Sequence, residues 1–188
     1  MGTYTKISQD AFEEMQLDAG MLLNTFNPAS PAAPADSAII CATTGGIEIT
    51  CTPEYSDLAE DVDNAPNNLI EYKHLDSWTC KLGFTSLGVS PAAIKLALGA
   101  ADIDSQDTTK VTPRRDFKTT DAQDLWWVGD RADGGFVAVK IKKALSTGGL
   151  SLKTTKNGKG QMSCELTGHV SAASPDDMPM EFYSVEGS

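Results

Sequence analysis

Residues 78–103 constrain the fold more than any other stretch, because the hydrophobic period changes within them. Over residues 78–85 apolar and polar side chains alternate, which is the period of a half-buried strand. Ser90 followed by Pro91 is a typical helix start. After it, apolar residues recur at helical spacing, at Ile94, Ala97, Leu98 and Ala101. The stretch therefore predicts a strand that leads into one amphipathic helix of about three turns.

The rest of the chain has the pattern of a mostly β protein. Short alternating runs are separated by turns that contain glycine, as at Asn157 and Gly158, and they predict about eight strands around the single helix. Trp126 and Trp127 occupy successive strand positions and so face opposite sides, which predicts one in the core and the other at a contact with a neighbour. The length of 188 residues suits one domain over residues 1–188.

Two long segments are predicted to extend from this domain, in addition to a short extended arm at the C-terminus, residues 176–185. The first is an N-terminal arm, about residues 1–19, with a short capped helical turn. The second is a long inter-strand loop, about residues 53–75, in which the group at residues 69–72 favours an extended hairpin. A connection of this length is usually functional or disordered, and a solvated loop is the alternative. The loop is rich in carboxylates, at Glu54, Asp57, Glu60, Asp61 and Asp63.

Charge narrows the range of functions. The net charge is −11, and residues 1–109 carry −12 while residues 110–188 carry +1. A chain this acidic is not expected to bind nucleic acid or anionic membranes. No apolar run has the length of a membrane span or the form of a signal peptide, so we expect a chain that stays in a cytoplasm.

A basic segment interrupts this pattern at residues 104–121. A phosphate-binding patch is one interpretation, and a surface of salt bridges is favoured over it by the total charge. The cations of the segment are Lys110, Arg114, Arg115 and Lys118.

The sequence contains no motif typical of catalysis or of metal binding. His74 and His169 are the only histidines, and the carboxylates of residues 54–63 lack the order of a calcium loop. We therefore predict no catalytic residues, no metal and no cofactor, since an enzyme would need a site assembled from scattered residues. The cysteines have no metal-binding spacing and are expected to be buried free thiols, at Cys41, Cys51, Cys80 and Cys164.

Several segments together resemble the major tail tube proteins of long-tailed bacteriophages, of the siphophage and prophage type. The matching segments are the Gly20 strand, the ATTGGI turn at residues 42–47, DSW at residues 76–78, the strand before the Pro91 helix, and ELTGHVSAASPDDMPMEFY at residues 165–183. The resemblance spans most of the chain, and the closing motif is its most specific part. Residues 104–121 match nothing in the family.

The resemblance implies a β-sandwich or partial barrel with one flanking helix, which assembles with its own copies into stacked hexameric rings. Strands of six subunits would form a barrel wide enough for a channel, and closure of the ring would remove exposed strand edges. It also implies a place in the virion tail, assembly in the bacterial host cytoplasm, and contacts with tape measure, tail terminator and distal tail proteins. DNA would pass through the channel without specific binding.

These observations give a structural hypothesis and two alternatives, which are a β-sandwich binding module for carbohydrate or another virion protein, and a scattered-site enzyme. Under the structural hypothesis, the carboxylates of the long loop meet the cations of residues 110–118 across a subunit boundary. The apolar residues near the two termini, which include Phe12 and Phe182, are expected to pack on an adjacent subunit.

Overall fold

The computed structural model describes residues 7–187, and within them the chain forms ten strands and one α-helix. Short 3₁₀ turns lie at Gln9–Phe12, Asp36–Ala38, Ile70–Tyr72 and Thr119–Asp121. The longer elements are β1 (Gln16–Leu23), β2 (Thr43–Asp57), β3 (Lys73–Ser86), α1 (Pro91–Leu98), β4 (Ala101–Ile103), β5 (Val111–Pro113), β6 (Gln123–Arg131), β7 (Phe136–Ser146), β8 (Ser151–Lys153), β9 (Gln161–Thr167) and β10 (Met180–Val185).

The strands form two antiparallel sheets that share β7. Sheet A has the order β1-β6-β7-β10, and sheet B has the order β2-β3-β9-β8. The last residues of β7, Leu145 and Ser146, leave sheet A and pair with β9 of sheet B. The strands β4 and β5 form a separate small hairpin. This arrangement confirms the predicted mainly β fold, a β-sandwich with one flanking helix.

A β-bulge in β7 makes the passage from one sheet to the other. The register on β6 shifts between Leu125 and Gln123, and Lys143 at the bulge has a φ of +47°. The backbone N–H of Lys143 donates to the Asp124 carboxylate at 3.0 Å, and the N–H of His169 donates to the Lys142 carbonyl at 3.0 Å. A bulge bends its strand and increases the local twist, so that β7 can turn a corner between two packed sheets.

The main core lies between the two sheets. Sheet B contributes the predicted inward-facing row of β3, in which Cys80, Leu82 and Phe84 are buried, and β9 adds its own alternating row. The members from both sheets and the helix include Leu22, Leu125, Val139, Ile141, Ala144, Met162, Cys164, Leu166, Met180, Ala93, Leu96 and Ala97.

The helix α1 closes one side of this core, but it is shorter than predicted. The Ser90 hydroxyl accepts the Ala93 N–H at 3.2 Å, as the capping pattern indicates. Gly99, with a φ of +73°, ends the helix after eight residues. The prediction of three turns was therefore wrong, because Ala101 belongs to β4. The predicted apolar stripe is confirmed in part, since Ala97 is buried and Ile94 packs against the core, whereas Ala93 and Leu96 complete the buried face.

A second apolar cluster lies on the outer face of sheet A. Trp126 packs there against Phe26 and Tyr183, with ring centroids 5.7 and 5.6 Å apart. Trp127 points the other way, packs on the main core and donates its indole N–H to the Ala19 carbonyl at 3.0 Å. The two indoles face opposite sides as predicted, but both have partners within the chain, so neither needs a neighbour to cover it.

The cysteines correct a further prediction. Cys51 and Cys80 stand directly opposite each other on β2 and β3, with Cα atoms 4.1 Å apart, and form a disulfide. Cys41 and Cys164 are free, and burial raises the pKa of the Cys164 thiol to about 12. The spacing of cysteines along the chain could not show this pair, because it depends on the register of the two strands.

We expect two of the four cysteines to react when unreduced protein is denatured and treated with a maleimide. Prior reduction should raise the number of modified cysteines to four, because it opens the bond between Cys51 and Cys80. Mass spectrometry of the intact labelled protein measures both numbers. Four labels without reduction would contradict the disulfide.

Candidate assembly surface

The hairpin of β2 and β3 extends well beyond the rest of sheet B. The strand β9 pairs with β3 only from Lys81 to Ser86, and the Gly168 N–H adds one more bond to the Cys80 carbonyl. In the part of the chain that the structure describes, β2 is the only strand beside β3 from Lys73 to Thr79, and the other edge of β3 has no strand there. Residues 52–79 therefore form a two-stranded ribbon, called here the β2–β3 arm.

The arm corrects the predicted long loop. Pairing of β2 with β3 continues as far as Asp57 and Lys73, so the connection without strand structure covers residues 58–72 rather than 53–75. The predicted extended hairpin is confirmed, but the group at residues 69–72 ends in a 3₁₀ turn and does not form its strands. Residues 58–72 are called here the tip of the arm.

The arm exposes an unusual amount of apolar surface. Ile70 is 77% exposed, and large apolar side chains are exposed along both strands and the tip, at Tyr55, Leu58, Val62, Tyr72 and Leu75. A two-stranded hairpin is marginally stable in water by itself. Exposed apolar side chains grouped on one protruding element are typical of a surface that contacts another protein.

Asp57 holds the tip together. Its carboxylate accepts the backbone N–H groups of Ala59 at 3.0 Å and Asn68 at 3.1 Å, and it pairs with the Lys73 ammonium at 3.3 Å. These contacts, the Ala59 hydrogen bond first, hold the pKa of Asp57 below its ordinary value. The carboxylate is thus engaged within the chain, and we assign it a structural role in place of the predicted inter-subunit contact.

The other predicted carboxylates fall into two groups. Glu54 lies on β2 and accepts the hydroxyl of Ser77 at 2.9 Å. Glu60, Asp61 and Asp63 lie in the tip, are exposed, and have no Lys, Arg or His nitrogen within 4.0 Å among residues 7–187. The tip therefore presents three carboxylates without a cation of their own.

Arg114 is the centre of the basic segment. Its guanidinium forms ion pairs with Asp121, with Asp102 at 2.9 Å and with Asp116 at 3.7 Å, and its side chain is only 12% exposed. The Asp102 contact lacks hydrogen-bond geometry and leaves the buried Nε without a hydrogen-bond partner. The hydrogen bond to Asp121 raises the pKa of Arg114. Reversal of this charge would break a local network, so Arg114 is unsuited to a contact between subunits.

Two of the three remaining cations of the segment also lie near carboxylates. Lys110 lies 3.8 Å from Asp104, and Lys118 lies 4.0 Å from Asp102. Arg115 is exposed and has no carboxylate within 4.0 Å in the described residues. These distances confirm the interpretation of the segment as a salt-bridging surface, which leaves little net charge for a partner.

Sequence reasoning missed another group of cations. The end of β8 and the turn that follows it, together called here the β8–β9 lysine turn, carry Lys153, Lys156 and Lys159, all exposed and without a carboxylate within 4.0 Å in residues 7–187. The signal was present, because residues 147–164 contain no acidic residue.

The terminal segments differ from free arms. The strand β1 begins at Gln16, so the predicted arm of about residues 1–19 ends earlier, and its first six residues lie outside the described part. The 3₁₀ turn at Gln9–Phe12 confirms the helical turn but has no side-chain cap. Phe12 is 64% exposed. At the other end, β10 is a paired edge strand of sheet A, and its Phe182 is 61% exposed.

Within residues 7–187, no group of three or more His, Cys, Asp or Glu side chains could hold a metal ion. His74 is exposed and lies 3.9 Å from Asp76, while His169 Nδ1 lies 3.1 Å from the Lys143 carbonyl at the β7 bulge. Across the same residues, no helix has the length and apolar character needed to cross a membrane.

Comparisons with known proteins add one structural similarity. No protein-family model matches the sequence, and no curated protein is similar to it in sequence. Among solved structures, the chain is similar to a chain of the virion of a native gene transfer agent particle, at 9% identity and a TM-score of 0.42. The alignment covers 88% of this chain and 96% of the other. At this identity and TM-score, two chains need share neither family nor function.

We predict that Asp57→Asn loosens the tip and leaves the sandwich intact. An amide has one acceptor oxygen and no charge, so it cannot hold Ala59, Asn68 and Lys73 together. Limited proteolysis should cut residues 58–72 faster in the variant. The matched control is Glu54→Gln on the same arm, which should be cut like the unaltered protein, and equal cutting of all three proteins would refute the role of Asp57.

The same carboxylate predicts a pH dependence. A pKa that is lower in the folded state stabilises the tip above the unfolded pKa of about 4, and this stabilisation is lost as the pH falls through the lowered folded value. Amide hydrogen exchange at the tip, corrected for its intrinsic pH dependence, should therefore lose protection on acidification. In Asp57→Asn the protection should be low at every pH, and a variant with the original pH profile would contradict the assignment.

Proposed function

We propose that the protein is a structural subunit of a phage-type virion tail, which assembles with copies of itself into stacked hexameric rings around a channel for DNA. The tail-tube resemblance of the sequence supports the family part of this proposal. The geometry supports the self-assembly part.

The observation that carries the proposal is the β2–β3 arm. It projects beyond the flanking strand β9 with apolar side chains in solvent, and its tip is held in shape by Asp57 rather than by a core. In a monomer the exposed apolar side chains of such an arm would lower the solubility of the protein. In an assembly the arm can contact a neighbouring subunit and bury these side chains.

Free strand edges support the same conclusion. The strand β2 is fifteen residues long and pairs on one side only, with β3. The strands β1 and β10 are the edges of sheet A. Long edges promote uncontrolled pairing unless they are covered, and closure into a ring of subunits covers them.

The outer face of sheet B is suited to a channel wall. Its central positions carry short polar side chains or none, at Thr50, Thr52, Thr79, Gly83, Thr85, Ser163 and Thr167. Lys81 on this face is neutralised by Glu165 at 3.0 Å, and Glu48 adds negative charge. The part of this wall formed by β2, β3 and β9 thus has no free cation to retain a phosphate backbone, so DNA would slide past it, while the unpaired Lys153 lies at the β8 edge.

The proposed role is structural and not catalytic, and it requires no metal or cofactor. Its partners are other copies of the chain and, by the resemblance, tape measure, tail terminator and distal tail proteins. The subunit would be made in the bacterial host cytoplasm and would end in the virion tail.

Deletion of residues 60–68 tests the role of the arm. We expect the shortened protein to stay folded, because a change in loop length costs less than about 1 kcal/mol. It should form no rings or tubes in electron micrographs at concentrations where the unaltered protein does. Removal of residues 31–33, an exposed piece of another loop, is the control and should leave assembly unchanged.

Two outcomes would count against the proposal. Normal tubes from the 60–68 deletion would show that the tip is not needed. Persistent monomers of the unaltered protein at high concentration would favour a stand-alone binding module.

A further inference from the structure

The tip of the β2–β3 arm lacks a partner within the chain in two respects. Leu58, Val62 and Ile70 are exposed, and the carboxylates of Glu60 and Asp61 have no cation within 4.0 Å in the described residues, as is also true of Asp63. A surface that fits the tip must therefore combine apolar area with positive charge. The following inference rests on the proposed self-assembly and names the surface that the tip contacts.

The turn between β8 and β9 has these properties. Asn157, with a φ of +60°, and the Gly158 N–H bond to the Thr155 carbonyl at 3.1 Å form a tight turn. Lys153, Lys156 and Lys159 project from this hairpin without carboxylate partners. Leu152 beside them is 52% exposed. The turn thus carries three unpaired cations next to an exposed apolar side chain, which matches the composition of the tip.

The two surfaces lie at opposite ends of sheet B. The strand β3 begins at Lys73, next to the tip, and ends at Ser86, which pairs with Met162 just after the β8–β9 turn. Fourteen residues of β3 separate the two ends by about 45 Å. The tip cannot reach the turn of its own chain, whereas the turn of a second copy placed end to end would lie directly beyond it.

We propose that the tip of the β2–β3 arm of one copy docks against the β8–β9 lysine turn of the next copy, and that this contact stacks subunits head to tail. The contact is heterologous, so it leaves a free tip at one end and a free turn at the other and can be repeated without limit. This assignment replaces the cations of residues 110–118 as partners of the acidic tip, because three of those four, Lys110, Arg114 and Lys118, are already paired with local carboxylates and only Arg115 is left without one in the described residues.

Charge reversal on either side tests the contact. One variant carries Glu60→Lys, Asp61→Lys and Asp63→Lys, and the other carries Lys153→Glu, Lys156→Glu and Lys159→Glu. All six positions are exposed, so both variants should fold with an unchanged melting temperature. Each alone should assemble at least about tenfold more slowly, followed by light scattering at low salt. An equimolar mixture should recover assembly, because each positive tip then meets a negative turn and each negative tip a positive turn.

The control is Lys110→Glu with Lys118→Glu, which removes cations of the other basic segment and should assemble at the original rate. A mixture that assembles no better than its components, or a control that fails like the lysine-turn variant, would overturn the assignment. If the unaltered protein assembles and neither triple variant is slowed, the docking contact is wrong while the self-assembly remains. If the unaltered protein does not assemble at all, the proposed function itself fails.

Discussion

The passage of β7 from one sheet to the other determines how the whole chain packs. Lys143 adopts a left-handed conformation that costs a residue with a side chain about 1–2 kcal/mol. The Asp124 carboxylate and the pairing of Leu145 and Ser146 with β9 hold the bend in place. Because this bend joins the sheets at one corner, the core fills the space beside it, and α1 covers the side that remains open.

The same geometry leaves the far end of sheet B without support. The strand β9 is only seven residues long, half the length of β3, so it covers only the half of β3 that lies over the core. Beyond Trp78, which packs on the main core, the β2–β3 arm depends on its own cross-strand contacts and on the Asp57 network at its tip, while the disulfide lies at its base. An arm of this kind keeps its shape without burying its apolar side chains, and it can bury them against a second molecule.

Sequence patterns predicted the parts of the fold that depend on local periodicity. The alternation around Leu82 identified the inward face of β3, and the Ser90–Pro91 pair identified the start of the helix. The sequence contains no comparable signal for the β7 bulge, since Lys142 and Lys143 are two polar residues of the kind found on the exposed side of any strand. The end of the helix was misplaced because apolar residues continue past Gly99 into β4.

The candidate surfaces depended on contacts that no local pattern reveals. The Cys51–Cys80 pair needs the register of two strands, and the neutralisation of Arg114 needs Asp102 to lie across the β4–β5 hairpin. Composition alone identified the acidic residues of the long connection. Only the hydrogen bonds of Asp57 show that its carboxylate has a structural role, whereas that of Glu60 is exposed. The sequence indicates the lysine turn by a run without acidic residues. That the turn lies at the end of sheet B opposite the tip follows only from the pairing of β3 with β9.

Amide hydrogen exchange, followed residue by residue in dilute and in concentrated protein, is the most direct measurement of whether the β2–β3 arm is completed by a neighbour. In dilute protein, the amides of residues 52–79 should exchange much faster than those of residues 81–86, which pair with a strand on both sides. The reason is that few buried contacts hold the arm. At concentrations that give rings or tubes, protection should rise in residues 52–79 and around the β8–β9 turn, with little change in the sandwich core. An arm that exchanges equally in both states, while assemblies are visible in the same sample, would contradict the account.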